Sequence, residues 1–251
     1  MNKKFLFVVF SFFLLAFSFP EKKKITIWMC GDSTMSIKEK KAYPETGWGM
    51  PFVHFWDSTV RIENHAKNGR STKTFISEKL WQNVIDNVKE GDYVFIQFGH
   101  NDEAKEKTER YTTPDEYKYN IKKFISEARV KKAILVLFTP VSRRRFDNDG
   151  NAIETHIEYS ALVREVAASE KVPMIDMDKK TMELYRQFGK ENSRWLFLQL
   201  KPGEHPNYPE GRDDNTHFNE LGARLVAQIA LAELQKLFPD LADRVIKTVV
   251  K

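Results

Sequence analysis

The chain has 251 residues, 41% of them hydrophobic and 30% charged, enough apolar material for a full core, which excludes a disordered, collagen-like or multi-pass membrane protein. Forty Lys and Arg against 35 Asp and Glu give a formal charge of +5, a bias too mild to predict nucleic-acid binding. The single cysteine, Cys30, excludes an intramolecular disulfide and a Cys-rich zinc site.

At the N-terminus, Lys3 and Lys4 precede an apolar run from Phe5 to Phe19, broken only by Ser11 and Ser18. Its length falls short of the roughly 20 residues that a membrane-spanning helix needs, so residues 1–20 read as a secretory leader. Ala16-Phe17-Ser18 offers small residues for cleavage after Ser18; an uncleaved membrane anchor is the alternative. Cys30 lies too far beyond the run to be a lipoprotein cysteine. Without the leader the formal charge falls to +3, because Lys3 and Lys4 leave with it and no acidic residue does. The remainder, 21–251, shows no repeat, low-complexity tract or linker and reads as one domain.

Five short apolar or β-branched runs follow: Ile25 to Cys30, Thr59 to Asn64, Asp92 to Phe98, Ala133 to Thr139 and Val172 to Asp176. The third and fourth are continuously apolar, as expected of central strands covered on both faces. Helical patterns lie between and after them, at Leu80 to Lys89, Pro114 to Arg129, Ile157 to Glu170 and Asn219 to Leu237. The alternation predicts βαβ units and a parallel sheet with helices on both faces. Thr113-Pro114-Asp115-Glu116 supplies an N-cap, a proline at the first helical position and acidic residues in the first turn. Ligands of such sheets bind beyond the carboxyl ends of the strands, so the loops after each run are where function is expected.

The first run ends in Gly31-Asp32-Ser33-Thr34-Met35. A serine at this point can be exposed and activated as a nucleophile, although Gly-Asp-Ser also makes an ordinary turn. After the second run, Gly69 in Asn68-Gly69-Arg70 can adopt positive φ and turn its N–H inward as an oxyanion donor, or simply serve a turn. The third run leads into Gly99-His100-Asn101-Asp102, where the Asn101 amide is a neutral donor suited to an oxyanion, or a helix cap. Near the C-terminus, Asp214 and His217 are spaced so that a turn can put the carboxylate on imidazole Nδ1 and leave Nε2 as a base; a solvated acidic loop would look the same. Together these are the parts of an acyl-transfer site built on a serine. The Gly-x-Ser-x-Gly elbow of ordinary α/β-hydrolases is absent.

These four blocks, in this order, resemble those of the GDSL-type SGNH hydrolases. The resemblance implies a flavodoxin-like α/β/α sandwich with a five-stranded parallel sheet, Ser33 as nucleophile, and an oxyanion hole from the N–H groups of Ser33 and Gly69 with the Asn101 side chain. It also implies His217 as base, oriented by Asp214. A closer resemblance is to the rhamnogalacturonan acetylesterases. It rests on Gly47-Trp48-Gly49, on Asn68 to Phe75, on Gln97 to Asp102, and on Lys201 to Gly211 leading into Asp214-Asn215-Thr216-His217. It implies an acetylated galacturonate-bearing polysaccharide as substrate. Other readings are another acetylated glycan such as xylan, a lipid or thioester, and a carbohydrate-binding protein without catalysis.

Arg143, Arg144 and Arg145, after the fourth run, are candidates to meet uronate carboxylates, or form a solvated basic loop. Trp48 can stack on a sugar ring or pack in the core. His65, His100 and His217 lack a short metal-ligand spacing, so no metal and no cofactor is expected, and no nucleic-acid or, after leader cleavage, membrane partner. Cys30 is expected as a buried structural thiol.

Overall fold

The computed structural model describes residues 22–247; the leader and its cleavage site lie outside them. In chain order the strands and helices are β1 (Ile25–Gly31), α1 (Gly49–Phe52), β2 (Val60–Asn64), α2 (Thr72–Ser77), α3 (Leu80–Asn87), β3 (Tyr93–Gln97), α4 (Pro114–Val130) and β4 (Ile134–Phe138). They continue as α5 (Ile157–Glu170), β5 (Met174–Ile175), α6 (Met177–Asn192), β6 (Phe197–Leu200), β7 (Arg212–Phe218), α7 (Glu220–Leu237) and α8 (Pro239–Ala242). The first five strands form one parallel sheet in the order β2-β1-β3-β4-β5. This is the doubly wound, flavodoxin-like arrangement that the sequence predicts.

The period-two alternation of the strands divides the interior into two layers. Ile27 and Met29 of β1, Phe95 of β3 and Phe138 of β4 pack with α6 and α7, including Tyr185, Val226 and Leu234. Trp28 and Cys30, Val94 and Ile96, and Leu135 and Leu137 face the other way, onto α3, α4 and α5 through Trp81, Phe124 and Val163. Because both faces of β3 are covered, all five of its residues are buried. Cys30 is fully buried, and burial pushes its thiol far above the ordinary range.

The start of α4 forms as its sequence predicts. Thr113 and Glu116 make reciprocal capping bonds with Pro114 in the first turn, satisfying backbone N–H groups that the helix itself cannot. The fifth strand is shorter than its apolar run suggests, only Met174–Ile175. Pro173 has no N–H to extend the ladder, and the Asp176 carboxylate turns aside to accept two bonds from Arg164, each 3.0 Å.

The last predicted turn, around Asp213 to Asn219, is instead β7, paired antiparallel with β6 in a separate two-stranded ladder. Phe218 faces Phe197 and Asp213 faces Gln199, so five steps along β7 answer two along β6. The surplus residues bulge from the ladder, which lets Asp214 and His217 depart from strict alternation and reach the same side. Asn219 then caps α7, its Oδ1 accepting the Gly222 N–H at 3.0 Å. A Cβ on Gly222 would sit 1.9 Å from the Leu196 carbonyl oxygen, so α7 meets the start of β6 backbone to backbone. Gly222→Ala is expected to cost on the order of 3 kcal/mol from the displaced backbone, read as a lower urea midpoint with unchanged slope.

Candidate active site

Four loops meet at the carboxyl end of the sheet. β1 runs into a tight turn in which the Asp32 carbonyl accepts the N–H of Met35 and of Ser36. Asp32 is fully buried; burial raises its carboxyl pKa, and bonds from the Thr34 N–H (2.9 Å) and Oγ1 (2.7 Å) partly offset this. Thr34 Oγ1 in turn accepts from Gln97 Nε2 at 2.7 Å, and Gln97 Oε1 accepts from Trp48 Nε1 at 2.8 Å. This chain of bonds fixes the backbone on either side of Ser33.

Ser33 Oγ lies 2.9 Å from His217 Nε2, and His217 Nδ1 lies 2.9 Å from Asp214 Oδ2. The other Asp214 oxygen accepts the N–H groups of Thr216 (2.7 Å) and His217 (3.0 Å). Burial alone would raise the Asp214 pKa; the bond and charge of His217 and these backbone donors outweigh it and hold the carboxyl well below its usual range. An ionised carboxylate on Nδ1 leaves Nε2 bare toward the serine hydroxyl, the tautomer a general base requires.

Gly69 has φ +76°, a left-handed conformation that costs glycine nothing. The Lys67 N–H donates to the Gly31 carbonyl at 3.0 Å, pinning this loop to the end of β1. Asn101 Nδ2 donates to the Arg70 carbonyl at 2.9 Å, and an amide nitrogen has a second hydrogen to offer. Among the described residues, the Ser33 and Gly69 N–H groups make no backbone hydrogen bond. Ser33, Gly69, Asn101, His100 and His217 line one cleft of about 490 Å³. His100, packed edge-on to His156 with ring centroids 4.2 Å apart, is kept neutral chiefly by burial, with the charge of Arg143 acting in the same direction.

The structure revises the candidates for substrate contact. Trp48 is fully buried and hydrogen-bonded to Gln97, so it packs behind the serine loop and meets no sugar. Arg144 points away from the cleft, its guanidinium held by Asn215 Oδ1, Ser193 Oγ and the Lys190 carbonyl, where it props the bulge of β7. Arg143 lines the cleft and donates to Thr216 Oγ1 at 2.7 Å. Arg145 is exposed and lines an adjoining groove rather than the cleft itself.

Sequence reading missed Lys107 and Arg110, which line the cleft from the loop after β3; nothing in a polar loop of that length marks which charges turn inward. It also missed Lys38. The Lys38 side chain is fully buried, and its ammonium reaches the Ser33 carbonyl (2.5 Å), Asn68 Oδ1 (2.8 Å) and Glu45 Oε1 (2.7 Å). Its three N–H groups thus find three acceptors, joining the serine loop to the residue before Gly69.

A doubly wound sheet with a Ser–His–Asp relay divided between the loop after β1 and β7, and with glycine and asparagine donors beside the serine, defines a serine hydrolase of the SGNH type, a carboxylic ester hydrolase. The profile of the GDSL-like lipase/acylhydrolase family matches residues 30–225, and the chain belongs to that family. It is 40% identical over 225 residues to rhamnogalacturonan acetylesterase RhgT of Bacillus subtilis (strain 168), covering 90% of this chain and 96% of that protein. It is 32% identical over 222 residues to the probable rhamnogalacturonan acetylesterase YesY of the same organism, covering 88% and 97%. The crystal structure of B. subtilis YxiM superposes with a TM-score of 0.74 at 26% identity, over 86% of this chain and 57% of that one.

Two outcomes follow from the buried charges. Lys38→Met is expected to lower kcat by about a hundredfold, the scale of a misplacement near 1 Å, with KM for a small acetyl ester little changed; steady-state kinetics read the split. The second concerns Asp102, fully buried with Oδ1 accepting from the Thr72 N–H (2.9 Å) and Thr72 Oγ1 (2.6 Å). Burial pushes its carboxyl up to about 7 from 3.8, only partly offset by Thr72 and Thr112. The folded state keeps this proton where the unfolded chain releases it, so the group's stabilisation is full at acid pH and is lost as pH rises from about 4 to about 7. Urea melts should show the stability of Asp102→Asn relative to the native protein rising between about pH 4 and about pH 7.

Proposed function

We propose that this protein removes acetyl groups from a galacturonate-bearing polysaccharide of the rhamnogalacturonan type, through an acetyl-serine intermediate. The observation that carries the chemistry is the relay from Ser33 Oγ through His217 to Asp214, each link 2.9 Å, opening onto a cleft lined by Gly69 and Asn101. His217 Nε2 takes the Ser33 proton as Oγ attacks the acetyl carbon. The N–H groups of Ser33 and Gly69 and the Asn101 amide hold the negative charge on the former carbonyl oxygen. His217 returns its proton to the sugar oxygen, which leaves as a hydroxyl. Water, deprotonated by His217, then attacks the acetyl-serine, and acetate departs as Oγ recovers the proton.

The substrate reading is supported by the similarity to RhgT across nearly its full length and by the lining of the cleft. Lys107, Arg110 and Arg143 bring three cations to a space that holds two carboxylates, Glu45 and Glu106. That surplus suits a uronate beside the scissile ester. The apolar run from Phe5 to Phe19 behind two lysines supports export from the cytoplasm, to where such a polymer is met.

Ser33→Ala is expected to abolish acetate release from acetylated rhamnogalacturonan, a loss on the order of a thousandfold or more, with an unchanged circular dichroism spectrum. Acetate is assayed enzymatically across acetylated rhamnogalacturonan, xylan and a long-chain acyl ester. Equal turnover of the acyl ester by the native protein would overturn the substrate assignment, and residual activity in the variant would overturn the mechanism.

A further inference from the structure

The chain spends five tryptophans, and four of them, Trp28, Trp48, Trp56 and Trp81, are no more than 9% exposed. The fifth, Trp195, is 61% exposed. It sits in the 3₁₀ turn Ser193–Leu196 that leads into β6, beside a hollow of about 420 Å³ formed with the β6–β7 hairpin, a volume within the range of small-ligand sites. We propose that this hollow is a second sugar subsite, where Trp195 stacks on a neutral pyranose residue of the same polysaccharide chain whose acetyl group Ser33 attacks. The proposal rests on the polysaccharide reading above.

Three observations support the subsite. First, the rim matches a hydroxyl-rich ring rather than a uronate. Arg194, Lys201 and Arg212 are balanced by Glu204, Glu210 and Asp213, so the hollow offers donors and acceptors without the net positive charge of the catalytic cleft. A pyranose offers the complement, an apolar C–H face and a girdle of hydroxyls, and an aromatic ring with polar neighbours is suited to both.

Second, the hollow adjoins the segment that carries the catalytic dyad. Arg212 and Asp213 of its rim immediately precede Asp214, and Arg212 Nη2 lies 3.5 Å from Asp214 Oδ2. Gln199 Nε2 donates to Asp213 Oδ1 at 2.7 Å and to Asn215 Oδ1 at 3.0 Å, joining the rim to the bulge that carries His217. One short stretch of β7 thus supplies both the rim of the hollow and the catalytic dyad.

Third, the backbone that carries the platform is anchored, so that little is lost in ordering it on binding. Asn219, two residues beyond His217, donates from Nδ2 to the carbonyls of Trp195 (2.8 Å) and Phe197 (3.2 Å) while its Oδ1 caps α7. Trp195 and the catalytic dyad are thus anchored to the same short segment.

The test compares native protein, Trp195→Ala and Trp195→Phe on acetylated rhamnogalacturonan and on p-nitrophenyl acetate, a substrate too short to span both sites. Trp195→Ala is expected to raise KM for the polymer about tenfold, the equivalent of one modest stacking contact, with kcat retained. Its constants for the small ester and its melting temperature should stay near native values, and Trp195→Phe should recover much of the polymer KM. An unchanged polymer KM, or an equal loss on both substrates, overturns the subsite. So does an altered oligomeric state by sedimentation with polymer KM unaffected, which would make Trp195 a contact between two copies of this chain. Fluorescence titration of Ser33→Ala with neutral oligosaccharides released from the polymer provides an independent readout, since Trp195 is the exposed tryptophan and its response should vanish in Ser33→Ala/Trp195→Ala. If the native protein hydrolyses p-nitrophenyl acetate yet releases no acetate from the polymer, the functional reading fails separately, and the titration alone decides the subsite.

Discussion

Parallel pairing of β1 with both β2 and β3 sets the whole arrangement. β1 is the strand at which the order of the sheet turns back, and chains leaving neighbouring strands there diverge to opposite faces. A crevice opens at the carboxyl ends, and three of the four reactive loops issue from these three strands. Ser33 follows β1, Gly69 follows β2 and Asn101 follows β3. The sheet is thus a rigid frame that spaces nucleophile and oxyanion donors before any side chain acts. What it cannot supply is the base, which arrives from outside the sheet on the β6–β7 ladder.

Buried ionisable groups then lock the loops to one another. Lys38 is enclosed by acceptors from the serine loop, the glycine loop and Glu45. Asp102 draws Thr72, at the start of α2, and Thr112 onto the exit of β3. Each such group is costly to bury alone and is stabilised by its partners, so the loops cannot drift without leaving a buried polar group unsatisfied. Asp32 serves the serine turn in the same way. Several of the polar residues around the serine therefore touch no reacting atom and instead hold the geometry that the reaction needs.

Much of the frame was legible in the sequence because strands covered on both faces must be continuously apolar, as Tyr93 to Ile96 and Ile134 to Phe138 are. The serine, glycine, asparagine and Asp–His blocks stood out because polar residues follow those strands without transition. Other features left no such trace. Helix α6 follows β5 with almost no linker, and its polar residues mask the apolar stripe of Met177, Leu184 and Tyr185. The strand character of Arg212–Phe218 is hidden because its outward residues are all polar. Trp48 and Arg144 misled for a shared reason: position in the chain told that they lie near strand ends, while direction, inward toward Gln97 or backward toward Asn215, is decided by partners distant in sequence.

The bulge in β7 carries one more implication. Since the ladder with β6 is in register at Asp213 and again at Phe218, the excursion between them is closed at both ends, like a fixed-length arch on two piers. The side chains at Asn215 and Thr216 can be exchanged within such an arch, but adding or removing a residue would force one pier out of pairing. The spacing between Asp214 and His217 is therefore a mechanical dimension of the protein, set by where two strands meet and separate.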